Sequence, residues 1–270
     1  MAEQRKMDPQ AYLARIHWHG DCSPTLENLN GIIYAHQTHV AFENMDSCYY
    51  GKPVSLETED IYEKVVERKR GGYCFELNGL LCWLLNELGY HAWNCMVKIV
   101  ERDPVGPVPV MHRGIIVEIE QDLYYCDVGF GGPAPAGAVR IEDGFSVEHQ
   151  GDYYRMLALD RYWWQMERCT SKGEWHPLFR FYTMPQETID YMTMNYFCSA
   201  SPESIFVKMP FFNIRTKGGF NSILGDDFTF FLQGKRSTKK IESFQDLQQV
   251  GKIFFGIDLP EKTENPETEN

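Results

Sequence analysis

The chain has 270 residues, 43% of them hydrophobic, which is more apolar material and more length than one ordinary domain of about 100–150 residues uses. Its 38 acidic and 26 basic residues give a net charge of −12, which opposes binding to nucleic acid, because displacing counterions from phosphates takes clustered Lys and Arg. No run of about 18 apolar residues occurs, and the polar start over residues 1–10 lacks the apolar stretch of a secretory signal, so neither membrane insertion nor export is expected.

From the start of the chain, residues 9–16 and 25–38 read as helices. The second carries Leu26, Leu29, Ile32 and Ile33 on one stripe behind the start signal Pro24-Thr25. A third helix is expected over 58–70, with Arg68, Lys69 and Arg70 as cations in its last turn before Gly71-Gly72 stops it. The apolar stripe resumes at Cys74, Leu77, Leu81, Leu84, Leu85 and Leu88 and ends at Gly89, so Cys74 falls in the first turn of a buried helix. Beyond it the pattern turns β-branched, aromatic and alternating. Strands are expected over 91–100, 113–119, 123–128, 153–158 and 179–183, as an antiparallel sheet or small barrel. After Pro185, helical stretches near 187–197 and 243–253 accompany strands near 213–215 and 229–232, a smaller α/β region. Residues 261–270 are polar and acidic and bury too little to offset ordering entropy, which predicts a flexible tail. The expected units are thus 1–90, 91–185 and 186–260.

Eight cysteines are scattered through the chain with no C-x-x-C pair. That spacing fits a reduced cytoplasm and gives no support to a structural metal site. His36 and His39 stand three apart on a helix but without further ligands, so packing or hydrogen bonding is expected of them, and no metal is predicted. The aromatic run Tyr162-Trp163-Trp164 is expected in the core, and the basic run over 235–240 in a solvated turn.

One cysteine differs from the rest. Cys74 follows Arg70-Gly71-Gly72-Tyr73 at a helix start, where unpaired N–H groups favour thiolate over thiol, and two glycines allow a tight turn and close approach to a ligand. A nucleophile there needs a base and a group to orient it, and the hairpin from His112 to Asp127 supplies both if its turn falls at Glu120-Gln121. Asp127 then faces Gly114, and His112 lies on the same face, a diagonal neighbour at roughly 7–8 Å between backbones; a one-residue slip would separate the two side chains. Cys74 is read as nucleophile, His112 as base and Asp127 as the carboxylate that fixes the imidazole tautomer.

The stretches Pro24-Thr25-Leu26, Phe42-Glu43-Asn44, Arg70-Gly71-Gly72-Tyr73-Cys74-Phe75-Glu76-Leu77-Asn78 and Asp127-Val128-Gly129-Phe130-Gly131 together make the chain resemble the arylamine N-acetyltransferases, from about residue 12 to 259. The resemblance implies a multidomain α+β fold. Its parts are an N-terminal helical bundle carrying the nucleophile, a central antiparallel β-barrel carrying the His and Asp, and a C-terminal α/β lid, around a papain-like Cys-His-Asp site. It also implies acetyl-coenzyme A as co-substrate and an arylamine, arylhydrazine or N-hydroxyarylamine as acceptor, taken in turn by a ping-pong reaction. Phe42 and Phe130 would wall the aryl pocket, and coenzyme A would lie along Val108 to Met111 and near Phe197 to Glu203. The triad alone does not choose the acceptor. A cysteine hydrolase or an amide synthase uses the same three groups with another donor or acceptor, and a non-catalytic binder of coenzyme A or aryl ligands is a further reading.

Overall fold

Asp8 and Thr25 start the first two helices, each side chain accepting from an N–H that a helix start leaves unpaired. Helices α1, Pro9–Arg15, and α2, Leu26–His39, then turn Tyr12, Leu13, Leu29, Ile32 and Ile33 into the core. In the computed structural model, described over residues 7–101, 106–169, 173–217, 219–232 and 235–261, a two-residue strand, β1 (Phe42–Glu43), and a short helix, α3 (Met45–Cys48), follow. The tail expected over 261–270 lies outside the described residues apart from its first.

The helix expected over 58–70 is interrupted. Helix α4, Thr58–Tyr62, runs into a π-helical turn, Glu63–Glu67, that ends before Arg68, and Lys69 takes a φ of 55°. The cations expected in its last turn therefore lie beyond it. Arg70 turns inward, its Nη2 2.7 Å from Glu43 Oε1, while Lys64 Nζ reaches Asp46 at 2.6 Å and Glu76 at 2.8 Å. The reason is electrostatic, since Glu43 and Glu76 are buried and a buried carboxylate needs a cation beside it.

Helix α5, Cys74–Glu87, is buried along most of its length, as its apolar stripe requires. The next strands are β2 (His91–Ile99), β3 (His112–Ile119), β4 (Asp122–Cys126), β5 (Val139–Arg140), β6 (Ser146–His149), β7 (Asp152–Ala158), β8 (Trp164–Cys169) and β9 (Trp175–Phe181). They form one antiparallel eight-stranded sheet, ordered β5-β4-β3-β2-β9-β8-β7-β6, which curls until β5 lies beside β7, a nearly closed barrel. The β3–β4 turn falls at Glu120-Gln121, with φ values of 51° and 77° that suit a primed two-residue turn. Ile119 pairs with Asp122 and Ile115 with Cys126, the register expected from the sequence. Of the aromatic run, Trp164 packs against the barrel interior, whereas Tyr162 is exposed because it sits in the β7–β8 connection.

A turn of 3₁₀ helix, Thr188–Tyr191, leads into α6, Met192–Ala200, and α7, Ile205–Lys208. Strands β10 (Phe211–Thr216), β11 (Gly219–Leu224), β12 (Asp227–Leu232) and β13 (Lys235–Lys240) follow, and then α8, Phe244–Val250. The basic run is thus an exposed strand, not a turn, and its charges suit a sheet edge. At the opposite edge of this five-stranded sheet stands β1, with Phe42 opposite Asn213. Backbone bonds also tie β1 to the approach of α5, from Gly72 N to Ala41 O and from Glu43 N to Gly72 O. Among the described residues no helix is long and apolar enough to cross a membrane.

Candidate active site

Cys74 is the first residue of α5, and the capping interaction before it comes from Glu76, whose carboxylate accepts from the Tyr73 N–H at 3.0 Å. Gly129 lies so close that a Cβ there would stand 2.7 Å from Cys74 Cα, so only glycine lets the Asp127–Phe130 loop reach the nucleophile. Cys74 is 4% exposed. Burial pushes its thiol well above its ordinary pKa, with further upward pressure from Cys198 and Asp127, while N–H groups of Arg113 and Phe75 oppose the shift. The helix start is thus in place, but burial outweighs it, and thiolate is not favoured by position alone.

His112 and Asp127 are each 1% exposed. His112 Nε2 lies 2.6 Å from Asp127 Oδ2, which leaves Nδ1 for any other partner, and the ring stacks on Phe179 with centroids 5.7 Å apart. Every face of the carboxylate is occupied. Oδ2 also accepts from the Tyr125 hydroxyl at 2.8 Å, and Oδ1 accepts from Asn78 Nδ2 at 3.0 Å and the Gly129 N–H at 2.9 Å. Burial alone would raise the Asp127 carboxyl, but the His112 ring and the bonds from His112, Asn78 and Tyr125 outweigh it and hold the group below the usual carboxylate range.

Asn78 and Tyr125 are residues to which sequence reasoning gave no role. Asn78 stands one helical turn after Cys74; beyond Asp127, its Oδ1 accepts from the Val128 N–H at 2.8 Å and its amide donates to the Arg113 carbonyl. A polar residue at i+4 from the cysteine, in line with the stripe that Leu81 and Leu85 continue, was the signal that could have found it. Tyr125 is two residues before Asp127 and so shares its strand face.

Cys74 and His112 line one cavity of about 330 Å³, together with Phe42, Met111, Phe130, Phe197, Cys198, Glu203 and Phe206. Phe42 packs against Phe211 with ring centroids 5.0 Å apart, and Phe130 against Phe179 at 4.7 Å. Of the residues expected along coenzyme A, Met111, Phe197 and Glu203 border this cavity. Val108 does not; it lines a separate hollow with Lys98, Trp163 and Arg180, on the other side of β2 from the cavity that Ile99 borders, since neighbouring strand residues face opposite ways. The Glu203 side chain is 80% exposed and lies 3.7 Å from Lys208, and its negative charge is the wrong sign for a phosphate. His36 is fully buried with Nδ1 2.8 Å from the Tyr12 hydroxyl, and His39 stacks on His17 with centroids 4.4 Å apart.

Residues 25–264 match the family model described as N-acetyltransferase. An arylamine N-acetyltransferase of Mycolicibacterium smegmatis is 32% identical, with 94% of this chain and 93% of that protein covered. Among solved structures, an arylamine N-acetyltransferase of Mycobacterium marinum is similar with a TM-score of 0.88 at 30% identity, over 95% of each chain. A structure of the M. marinum enzyme in complex with CoA gives 0.85 at 29% identity over 93% of each.

Proposed function

Because the chain belongs to the arylamine N-acetyltransferase family, we propose that Cys74 carries an acetyl group from acetyl-coenzyme A to the nitrogen of an arylamine, arylhydrazine or N-hydroxyarylamine. The observation that carries the reading is the His112–Asp127 contact of 2.6 Å on a ring that shares an aromatic cavity with the Cys74 thiol. With Nε2 donating to Asp127, Nδ1 has the lone pair that takes the thiol proton. Burial resists a lone thiolate, so the reactive form is a thiolate–imidazolium pair, with the charged ring stabilised by Asp127.

The thiolate attacks the thioester carbonyl, backbone N–H groups near the helix start hold the developing oxyanion, and coenzyme A leaves as its thiol by taking the proton from the His112 imidazolium, which returns the ring to its neutral form. The amine then attacks the acetyl-enzyme while His112 removes its proton, a step worth about 10²–10⁴-fold. Phe42 and Phe130 form walls that favour an aryl ring over water, which supports transfer over hydrolysis. Met111 and Phe197 border the side from which the donor's thioester arm enters, with contacts to Glu203 limited to its backbone. The buried thiols Cys74, Cys82, Cys95, Cys126 and Cys198 support a reducing, cytoplasmic setting.

Intact-mass analysis tests the scheme. Acetyl-coenzyme A should add one acetyl group, on Cys74, and an arylamine should discharge it. Steady release of coenzyme A thiol without amine would instead mean a hydrolase, and a chain that never acquires the group would defeat the proposal.

A further inference from the structure

Two thiols, Cys74 and Cys198, share the wall of the site cavity, and the acyl-transfer scheme uses only one. The face of α6 that carries Cys198 is pressed against the segment that carries Cys74. Tyr191, Asn195 and Cys198 follow one another at helical spacing on that face. The Tyr191 ring lies 5.9 Å from that of Phe75, the Tyr73 hydroxyl donates to Asn195 Oδ1, and Cys198 sits in one apolar cluster with Tyr73, Cys74 and Phe75. This end of α6 is pinned. Ser204 Oγ donates to the Cys198 carbonyl at 2.7 Å, and Asn195 Nδ2 donates to the Val54 carbonyl at 2.8 Å. The two thiols are close enough that a negative charge on Cys198 would raise the Cys74 thiol. Burial pushes the Cys198 thiol up to about 12, so it is uncharged at neutral pH and does not compete for an acyl group.

We propose that Cys198 is a resolving thiol for Cys74, so that oxidation of the nucleophile by a hydroperoxide ends in a Cys74–Cys198 disulfide. The idea rests on Cys74 being the reactive thiol. The Cys74 thiolate attacks the terminal peroxide oxygen, the O–O bond breaks, and the peroxide leaves as an alcohol, or as water from hydrogen peroxide, with Cys74 left as the sulfenic acid. Cys198, giving its proton to His112, then attacks the Cys74 sulfur. The S–O bond breaks, the hydroxide takes the proton and leaves as water, and the disulfide remains. Two thiols have lost two electrons, and the peroxide has gained them. Cys198 already borders the cavity in which the sulfenic acid forms, whereas a bulkier thiol must enter it from outside, so the internal reaction has the advantage of proximity. Closing the disulfide also keeps Cys74 from further, irreversible oxidation to the sulfinic acid.

The test treats the full chain with stoichiometric hydrogen peroxide, maps its cysteines by mass spectrometry, and assays transfer before and after dithiothreitol. The expected result is a peptide pair joining Cys74 to Cys198, an intact mass lower by two hydrogens, and activity regained on reduction. With Cys198→Ser and Cys198→Ala, each compared with its own untreated sample, the cross-link should vanish, Cys74 should accumulate as sulfinic acid, and dithiothreitol should restore little. Sulfinic acid on Cys74 in the unaltered chain without the cross-link, or a disulfide from Cys74 to a different cysteine, overturns the proposal and leaves the transferase reading standing. A Cys74 that neither peroxide nor acetyl-coenzyme A modifies removes both.

Discussion

Replacing Asp127 with Asn tests the site where its wiring is most constrained. The two oxygens of Asp127 accept from four donors: Gly129 N–H and Asn78 on Oδ1, His112 and Tyr125 on Oδ2. Gly129 N–H cannot turn, and Asn78 is held by the Val128 N–H on its other side. The new amide must therefore point its oxygen at Gly129 and Asn78 and its NH₂ at His112 and Tyr125. The Tyr125 hydroxyl can rotate to accept. His112 can accept at Nε2 only by moving its proton to Nδ1, the nitrogen assigned to the thiol, so the base is blocked. Breaking a buried charge pair costs about 3–5 kcal/mol, and each 1.4 kcal/mol is about tenfold in rate, so acetylation of Cys74 should slow by roughly a hundredfold to several thousandfold. The assay is rapid mixing of Asp127→Asn with acetyl-coenzyme A, following thiol release, with thermal unfolding to show that the variant is folded. A folded variant that acetylates within about tenfold of the unaltered enzyme would refute the reasoning, because the expected loss starts at about a hundredfold.

Tyr125→Phe removes one neutral donor from the same carboxylate, worth about 1.5–3 kcal/mol shared between stability and catalysis; acetylation should slow, but less than in Asp127→Asn, and the reverse order in the same assay would contradict the scheme. Gly79→Ala would put a Cβ 2.5 Å from Arg113 Nη1, and that guanidinium is held by Phe75 O at 3.0 Å and Asn94 Oδ1 at 2.6 Å. Helix propensity favours alanine by about 1 kcal/mol while overpacking costs about 1–3 kcal/mol, so urea unfolding should show a net loss, and a stabilised variant would mean that Arg113 yields freely. Burial raises Glu76 to about 6 against the pull of Lys64, above the roughly 4.3 of an unfolded glutamate. A raised carboxyl stabilises the fold fully below the unfolded value and loses that contribution as pH rises through the folded one. The stability difference between the unaltered chain and Glu76→Gln, from urea midpoints, should therefore fall between about pH 4 and 6, and a flat difference would rule the shift out.

What was legible in the sequence is what local periodicity encodes. The stripe from Cys74 to Leu88 marks α5, and the turn at Glu120-Gln121 sets a register that brings His112 and Asp127 to one face, since a period of two leaves no intermediate answer. Strands β1, β5, β6, β8, β11 and β13 were not expected, because they are short or carry polar and charged residues whose strand state comes from partners. Arg70 resembled a helix-terminal cation, yet its buried partner Glu43 lies 27 residues away. The same limit hid Asn78 and Tyr125, since a hydrogen bond to Asp127 depends on which face of another element comes to rest beside it.

The placement of β1 also sets a timetable for synthesis. Phe42 is on the wall of the cavity, but its pairing partner, Asn213, leaves the ribosome long after it. At about 5–20 residues per second, the interval is on the order of 10–30 s. Through that time β1 offers an unpaired edge to any neighbouring chain, and a product cut short before Phe211 keeps that edge permanently.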